Sequence, residues 1–137
     1  SSYMALGLGQ VHSGDYQKAE TTSLKALELS PADPDLIHFL TNIFFACYGL
    51  QRYEEALDAL DKALHRHPNA AHILGFRAAV LGHLKPGPEA KSALECYLEL
   101  RPNLKTREDY KRIFIPNSVL AEPIIEGLCL AGWEPED

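Results

Sequence analysis

Apolar residues recur at helical spacing along most of the chain. Leu57, Leu60 and Leu64 lie three and four positions apart, and Leu24 and Leu27 repeat the same spacing. This is the pattern of helices with one buried face. Prolines, glycines and short polar stretches interrupt the pattern at regular intervals. We therefore predict helices over about 2–13, 16–29, 34–49, 53–66, 70–83 and 88–101, a short helix after Thr106 and a last helix that ends at Ala131.

Three copies of one pattern occupy residues 1–102. The aligned positions are Gly14, Tyr16, Ala19, Ala26 and Pro31 in the first copy, Tyr53, Ala56, Ala63 and Pro68 in the second, and Ala90, Tyr97 and Pro102 in the third. Ala19 and Ala56 are 37 residues apart, Ala56 and Ala90 are 34 apart, and the three prolines have the same spacings. A period near 34 with small residues at fixed positions is typical of stacked helix pairs, which are usually binding scaffolds.

The small residues of the pattern indicate where helices approach each other closely. Two sets of alanines are expected at such crossings, Ala19, Ala56 and Ala90 within a pair, and Ala26 and Ala63 between successive pairs. A larger side chain at these positions would push the helices apart. Tyr97 replaces the second alanine in the third copy, so we expect its ring to pack against the segment that closes the stack.

The end of the chain lacks the repeat pattern but carries helix boundaries. Thr106 is a candidate N-cap, and Gly132 is a candidate left-handed cap with Trp133 placed for a hydrophobic contact. A break is expected at 114–117. Pro123 marks either the start of the last helix or a kink in it.

On these positions the chain resembles the tetratricopeptide repeat (TPR) family. Gly14, Tyr16, Ala19, Ala26 and Pro31 all fall on signature positions of that family. The resemblance implies an all-α fold, a right-handed α-solenoid of three TPR helix pairs at 1–33, 34–69 and 70–102, closed by capping helices and an acidic tail at 103–137. Departures from the family pattern are Phe44, the proline-rich turn at 85–88, Tyr97, and three extra residues between the first two repeats.

Residues 107–135 carry a second resemblance. The stretches Ile113-Phe114-Ile115-Pro116-Asn117 and Ile124-Ile125-Glu126-Gly127-Leu128-Cys129-Leu130-Ala131-Gly132-Trp133 resemble the closing segment of bacterial class III adenylate/guanylate cyclases, and of transcriptional regulators of similar layout, that end in TPR repeats. This implies a C-terminal sensory or scaffolding part of such a protein, without catalysis, because no cyclase motif lies in these residues. The chain opens at Ser1-Ser2 without an initiator methionine, which we interpret as the start of a fragment.

In TPR proteins the first helix of each pair lines a concave groove, and that register gives candidate partner-binding residues here. They are Met4, Leu8, Val11, His12, His38, Thr41, Phe45, Tyr48, His72, Gly75, Ala79 and His83. This surface is apolar and aromatic, and it lacks the Lys/Asn/Arg set with which some TPR domains clamp a C-terminal carboxylate. We expect a hydrophobic peptide or helix to bind there, with Phe45 and Tyr48 as aromatic anchors.

Other uses of the chain stay open at this stage. The groove is covered by the tail or by a second copy of the chain in one alternative, and is simply exposed to solvent in another. A homodimerisation module with a purely structural role would use the apolar stripe of Ile124, Ile125 and Leu128. A small-ligand sensor is a third class, which no polar constellation in the groove supports.

Charge and composition narrow the classes of partner. The 137 residues carry a formal net charge of −6, which argues against a nucleic-acid surface. The densest basic group, Lys105, Arg107, Lys111 and Arg112, is interleaved with Glu108 and Asp109 and is interpreted as a solvated helix face. The sequence contains no apolar run of about 18 residues, the length that would predict a membrane span, and it contains no signal-peptide pattern. Cys47, Cys96 and Cys129 are expected to be buried free thiols of a cytoplasmic protein, and residues 134–137 a disordered tail.

The residues that could carry chemistry form no recognisable site. His38 and His72 occupy equivalent places in adjacent repeats, but no histidine pair has the i, i+4 spacing of a helical metal site. Gly7-Leu8-Gly9 lacks the strand before it and the Lys-Ser/Thr after it that a phosphate loop requires. Cys47 lies near no predicted base. We therefore predict a protein that is not an enzyme and that holds no metal or cofactor.

Overall fold

A computed structural model describes residues 16–18, 21, 24, 25, 36–114 and 118–137 of the chain. Six helices with defined ends lie in these ranges: α1 (Leu36–Gly49), α2 (Tyr53–Arg66), α3 (Ala71–Leu84), α4 (Pro88–Leu100), α5 (Arg107–Ile113) and α6 (Ala121–Leu130). The described residues contain no strand, so the predicted all-α class is confirmed. No helix among them is both long enough and apolar enough to cross a membrane.

The chain divides into two compact units, one that ends at Pro68 and one that begins at Asn69. The first predicted helix, at 2–13, lies outside the described residues, as do Ala19 and Ala26. The bounds of the predicted helix at 16–29 also lie outside the described residues. The predicted helices from 34 onward agree with the structure to within about two residues at each end, which is the usual uncertainty of a helix boundary.

In the first unit, α1 and α2 pack against each other across a turn at 50–52. On α2 the small residues Ala56 and Ala63 are 0% and 1% exposed, and the burial of Ala56 fits its expected place at the crossing within the pair. In the turn, the Arg52 N–H donates to the Cys47 carbonyl (2.8 Å) and the Gln51 N–H to the Tyr48 carbonyl (3.0 Å). This is the Schellman pattern, and it holds Gln51 at φ 61°, a left-handed backbone that favours glycine.

In the second unit, α3 and α4 form the corresponding pair. The predicted turn between them is confirmed: Gly87 has φ 150° and Pro88 is the first residue of α4. Ala90 is 0% exposed. Further along α4, the ring of Tyr97 lies against Gly75 of α3, where a methyl group on the glycine would come within 2.7 Å of the ring. The absence of a side chain at Gly75 therefore makes room for the large residue that departs from the repeat pattern.

The last helix packs against the first helix of its own unit, α6 on α3. Gly82 of α3 faces the backbone of α6 so closely that a methyl group there would overlap the Gly127 carbonyl oxygen. Ile124, Ile125 and Leu128 are each 0% exposed, so the apolar stripe is confirmed as a buried face. For the same reason this stripe is not available, in this packing, as the dimer face that the sequence suggested.

The ends of α5 and α6 follow the sequence signals closely. Thr106 caps α5: its hydroxyl accepts from the Asp109 N–H (3.0 Å), and the Asp109 carboxylate accepts from the Thr106 N–H (2.9 Å), forming a capping box. The N–H groups of Lys105 and Thr106 hold the pKa of the Asp109 carboxyl below its usual value. Pro123 is the third residue of α6, in the first turn, where a missing N–H leaves no intrahelical bond unmade.

At the other end of α6, Gly132 has φ 119° and Trp133 is 6% exposed, as predicted for a left-handed cap with a hydrophobic contact. Residues 134–137 are not the disordered tail that we expected. The Glu136 N–H donates to the Lys105 carbonyl (2.8 Å), and the Asp137 carboxylate accepts from the Arg107 N–H (2.8 Å). These bonds tie the acidic stretch to the start of α5.

The prediction of three buried thiols is wrong in part. Only Cys47 is a buried thiol; Cys96 is exposed and Cys129 is intermediate, because their helical register turns them away from the core.

Candidate functional site

The predicted groove residues fall into three groups. Met4, Leu8, Val11 and His12 lie outside the described residues. His38 and His72 are exposed, and Thr41 and His83 are half-buried; the Thr41 hydroxyl donates to the Ile37 carbonyl (2.7 Å). The remaining described members, Phe45, Tyr48, Gly75 and Ala79, are buried.

The two aromatic rings expected to anchor a partner are core residues. Phe45 is 3% exposed and Tyr48 is 2% exposed. Phe44 contacts both rings, with centroids 5.2 Å and 5.5 Å away, and Tyr48 meets Tyr53 of α2 edge to face at 5.4 Å. The expectation of two exposed anchors is therefore corrected, because α1 is buried on nearly all sides from Phe39 to Tyr48. A partner could contact either ring only if that ring left its packed position in the core.

Ala79 is buried for a related reason. It is 0% exposed and lies three residues before Gly82, on the side of α3 where α6 packs most closely. The structure thus covers part of the expected surface of α3 with the chain's own last helix. For α3, this arrangement is the alternative in which the tail of the chain covers the groove.

A different concave site lies in the second unit, between α3, the end of α4 and α5. It is a small cavity of about 60 Å³, here called the aromatic pocket, lined by His72, Phe76, Tyr97, Arg101, Tyr110, Ile113 and Phe114. Of the predicted site residues that the structure describes, only His72 belongs to it.

Ring contacts hold the walls of the aromatic pocket in place. Phe76 meets Phe114 edge to face with centroids 5.9 Å apart, and Tyr110 stacks on Phe114 at 5.7 Å. His72 meets Phe76 edge to face at 6.1 Å. Such pairs contribute about 0.5–1.5 kcal/mol each beyond their burial. The contacts join α3 to the end of α5, so the pocket is a preformed feature of the packing.

A wider groove of about 400 Å³ adjoins the aromatic pocket and shares Arg101 and Ile113 with it. The rest of this adjoining groove is lined by Leu100, Pro102, Asn103, Leu104, Asp109 and Arg112. Two large apolar side chains are exposed to solvent here: Leu100 is 44% exposed and Ile113 is 57% exposed. An apolar surface of this kind beside an open cavity is a common property of recognition sites.

Two arginines border this surface, and they are engaged differently. Arg112 pairs with Asp109 at 3.1 Å on the same helix. Arg101 follows the last residue of α4 and donates to the Leu100 carbonyl through Nη1 (3.3 Å), but it pairs with no carboxylate in the described part of the chain. The guanidinium of Arg101 therefore keeps most of its donors for a further acceptor.

Tyr97 supplies the second polar group of the aromatic pocket. Its side chain is 2% exposed, and burial raises the pKa of its phenol to about 12, although the nearby charge of Arg101 acts in the opposite direction. No described residue hydrogen-bonds to the hydroxyl group. A buried hydroxyl that no described residue hydrogen-bonds is unusual.

Sequence reasoning missed this site, although it noted two of its signals. Tyr97 was recognised as a departure that should face the closing segment, and it does line the aromatic pocket together with Tyr110, Ile113 and Phe114. The basic residues at 105–112 were interpreted as a solvated face. Arg101 gave no signal, because a single arginine before a proline is common at the end of a helix.

The described residues hold no group of three or more His, Cys, Asp or Glu side chains that could bind a metal ion. Compared with known proteins, the chain matches no family model and no curated protein.

Proposed function

We propose that this chain is a non-catalytic protein–protein interaction module of the TPR type, with three helix pairs in a right-handed solenoid and a C-terminal helical cap. Its partner is a peptide or helix of another protein. The repeat spacing supports this, as does the equal burial of Ala56 and Ala90, which occupy the same position of successive copies and are both 0% exposed.

The observation that carries the proposal is the exposed apolar surface at the aromatic pocket. Leu100 and Ile113 remain exposed beside a concave site whose other walls are buried aromatic rings. Exposed apolar area beside a preformed cavity is best explained by a partner that covers it. The recognition site proposed here therefore differs from the helix-lined groove that the sequence suggested. The resemblance of residues 107–135 to the ends of bacterial regulators supports a role as the C-terminal regulatory part of a larger cytoplasmic protein.

Selection from a random seven-residue peptide display library on the intact chain tests this proposal. Selected peptides should bind saturably, and Ile113→Gln should weaken them at least about tenfold, since an interface anchor contributes more than 1 kcal/mol. Leu130→Gln is the matched control, because Leu130 is 46% exposed on α6 and lies outside the pocket. Failure to select any peptide, or equal losses in both variants, would count against a peptide site here.

Light scattering across a concentration series separates this proposal from homodimerisation. We expect a monomer whose molar mass does not change with concentration. A dimer that Ile113→Gln dissociates would show instead that a second copy of the chain covers this surface.

A further inference from the structure

The aromatic pocket is small, about 60 Å³, and its lining indicates what can enter it. The apolar walls formed by Phe76, Tyr110 and Phe114 suit an aliphatic side chain.

The basic residues beside the aromatic pocket differ in their partners. Of the five at 101–112, Lys111 pairs with Glu122, and the Asp137 carboxylate lies at the start of α5, where it accepts from the Arg107 N–H. Within this segment Arg112 is already paired with Asp109, but Arg101 has no carboxylate partner among the described residues. A guanidinium at the edge of an apolar cavity is well suited to bind a carboxylate.

The hydroxyl of Tyr97 points to a ligand independently of the arginine. Its side chain is 2% exposed and lines the same pocket, yet the hydroxyl forms no hydrogen bond with any described residue. A buried donor is normally satisfied, and leaving it unsatisfied is unfavourable. A ligand that brings an oxygen acceptor next to an aliphatic group would satisfy it.

We infer that the aromatic pocket binds an acidic–aliphatic peptide segment, in which a leucine, isoleucine or valine side chain fills the cavity and a neighbouring Asp or Glu carboxylate pairs with Arg101. The Tyr97 hydroxyl donates a hydrogen bond to the same peptide. The peptide then continues along the adjoining groove past Leu100 and Ile113. This inference rests on the proposed function and specifies the chemistry of the partner.

Peptides selected as described above provide the probe. They are synthesised with acetylated and amidated ends, so that side chains carry their only carboxylates, and their affinities are measured by fluorescence anisotropy. We expect Asp or Glu within two positions of Leu, Ile or Val. Replacing that Asp or Glu by its amide should weaken binding about tenfold or more to the wild-type chain, and much less to the Arg101→Gln variant.

Matched variants keep the test specific. Arg66→Gln removes an exposed arginine at the end of α2 and should leave the affinity unchanged. Arg101→Lys keeps the charge but loses the planar donor set, so it should retain part of the preference for acidic peptides. Tyr97→Phe should weaken binding about three- to tenfold, as expected for the loss of one hydrogen bond. Circular dichroism checks that each variant is folded.

The outcomes distinguish this inference from the proposal on which it rests. The role of Arg101 is overturned if the selected peptides bind through Ile113 but show no acidic preference. It is also overturned if the amide replacement lowers the affinity equally for the wild type and for Arg101→Gln. Either result leaves the peptide-binding function standing. If no peptide is selected at all, both fail.

Discussion

Removing the hydroxyl of Tyr97 should change the free energy of unfolding in an unusual direction. Most substitutions of buried residues destabilise a protein. Here Tyr97→Phe keeps the ring against Gly75 and removes only a hydroxyl that has no hydrogen-bond partner among the described residues. A fully unsatisfied buried hydroxyl costs about 1–3 kcal/mol, and hydration from the open side of the pocket reduces that cost. We expect the free energy of unfolding at pH 7 to be unchanged or raised by up to about 1 kcal/mol.

The same residue makes a separate prediction at alkaline pH. Because burial raises the phenol pKa of the folded chain to about 12, while the unfolded phenol titrates near 10, the unfolded state loses its proton first as the pH rises. This group therefore leaves the free energy of unfolding unchanged below about pH 10 and lowers it as the pH rises between about 10 and 12. By pH 11, the wild type should have lost about 1.4 kcal/mol more than Tyr97→Phe, in which this group is absent.

Urea unfolding of both proteins at pH 7 and pH 11, followed by circular dichroism, measures these differences. Comparing the two proteins at each pH cancels the titration of the lysines and the other tyrosines. A loss of 1 kcal/mol or more for Tyr97→Phe at pH 7 would mean that the hydroxyl has a partner inside the protein. That result would also remove one of the observations behind the acidic–aliphatic peptide.

Three other substitutions test the packing. Gly82→Ala should destabilise the chain by about 1–3 kcal/mol despite its better helix propensity, because the added methyl meets the Gly127 carbonyl rather than a movable side chain; an unchanged midpoint in urea would contradict the close approach of α3 and α6. Phe45→Ala should lower the free energy of unfolding by about 3–5 kcal/mol, as for a core ring. A small loss of stability in thermal unfolding would contradict the burial of Phe45. Gln51→Gly should stabilise by up to about 1 kcal/mol, because φ 61° favours glycine, the residue found at the aligned position Gly14; a lower melting temperature would contradict a left-handed Gln51.

The sequence predicted the helices well because the signals that define them are local. α2 has the predicted bounds, α4 begins at Pro88 as predicted, and Thr106 and Gly132 occupy the cap positions assigned to them. Each of these predictions depends on residues within one turn of the helix end. Periodicity likewise identified the buried stripe of α6 without showing which helix it packs against.

The exposure of the aromatic residues was harder to predict because it depends on distant contacts. Phe45 and Tyr48 fall on positions that line a groove in TPR proteins, but in this chain α1 carries apolar residues around its whole circumference. A helix of that composition is buried on all sides, whatever register the resemblance suggests. The aromatic pocket combines residues from three helices, and no pattern along the sequence brings His72, Arg101 and Phe114 together.

The packing of α6 on α3 has a consequence for how the second unit assembles and opens. α3 and α4 are adjacent in sequence, whereas α3 ends at Leu84 and α6 begins only at Ala121. Closing the longer loop costs more chain entropy, so we expect the α3–α4 hairpin to form early and α6 to dock late. In the native state α6 should detach first, and its amide hydrogens should exchange with solvent faster than those of α3. Because α5, which forms one wall of the aromatic pocket, lies between them in the chain, a peptide bound there should slow hydrogen exchange in α6, a helix that it does not contact.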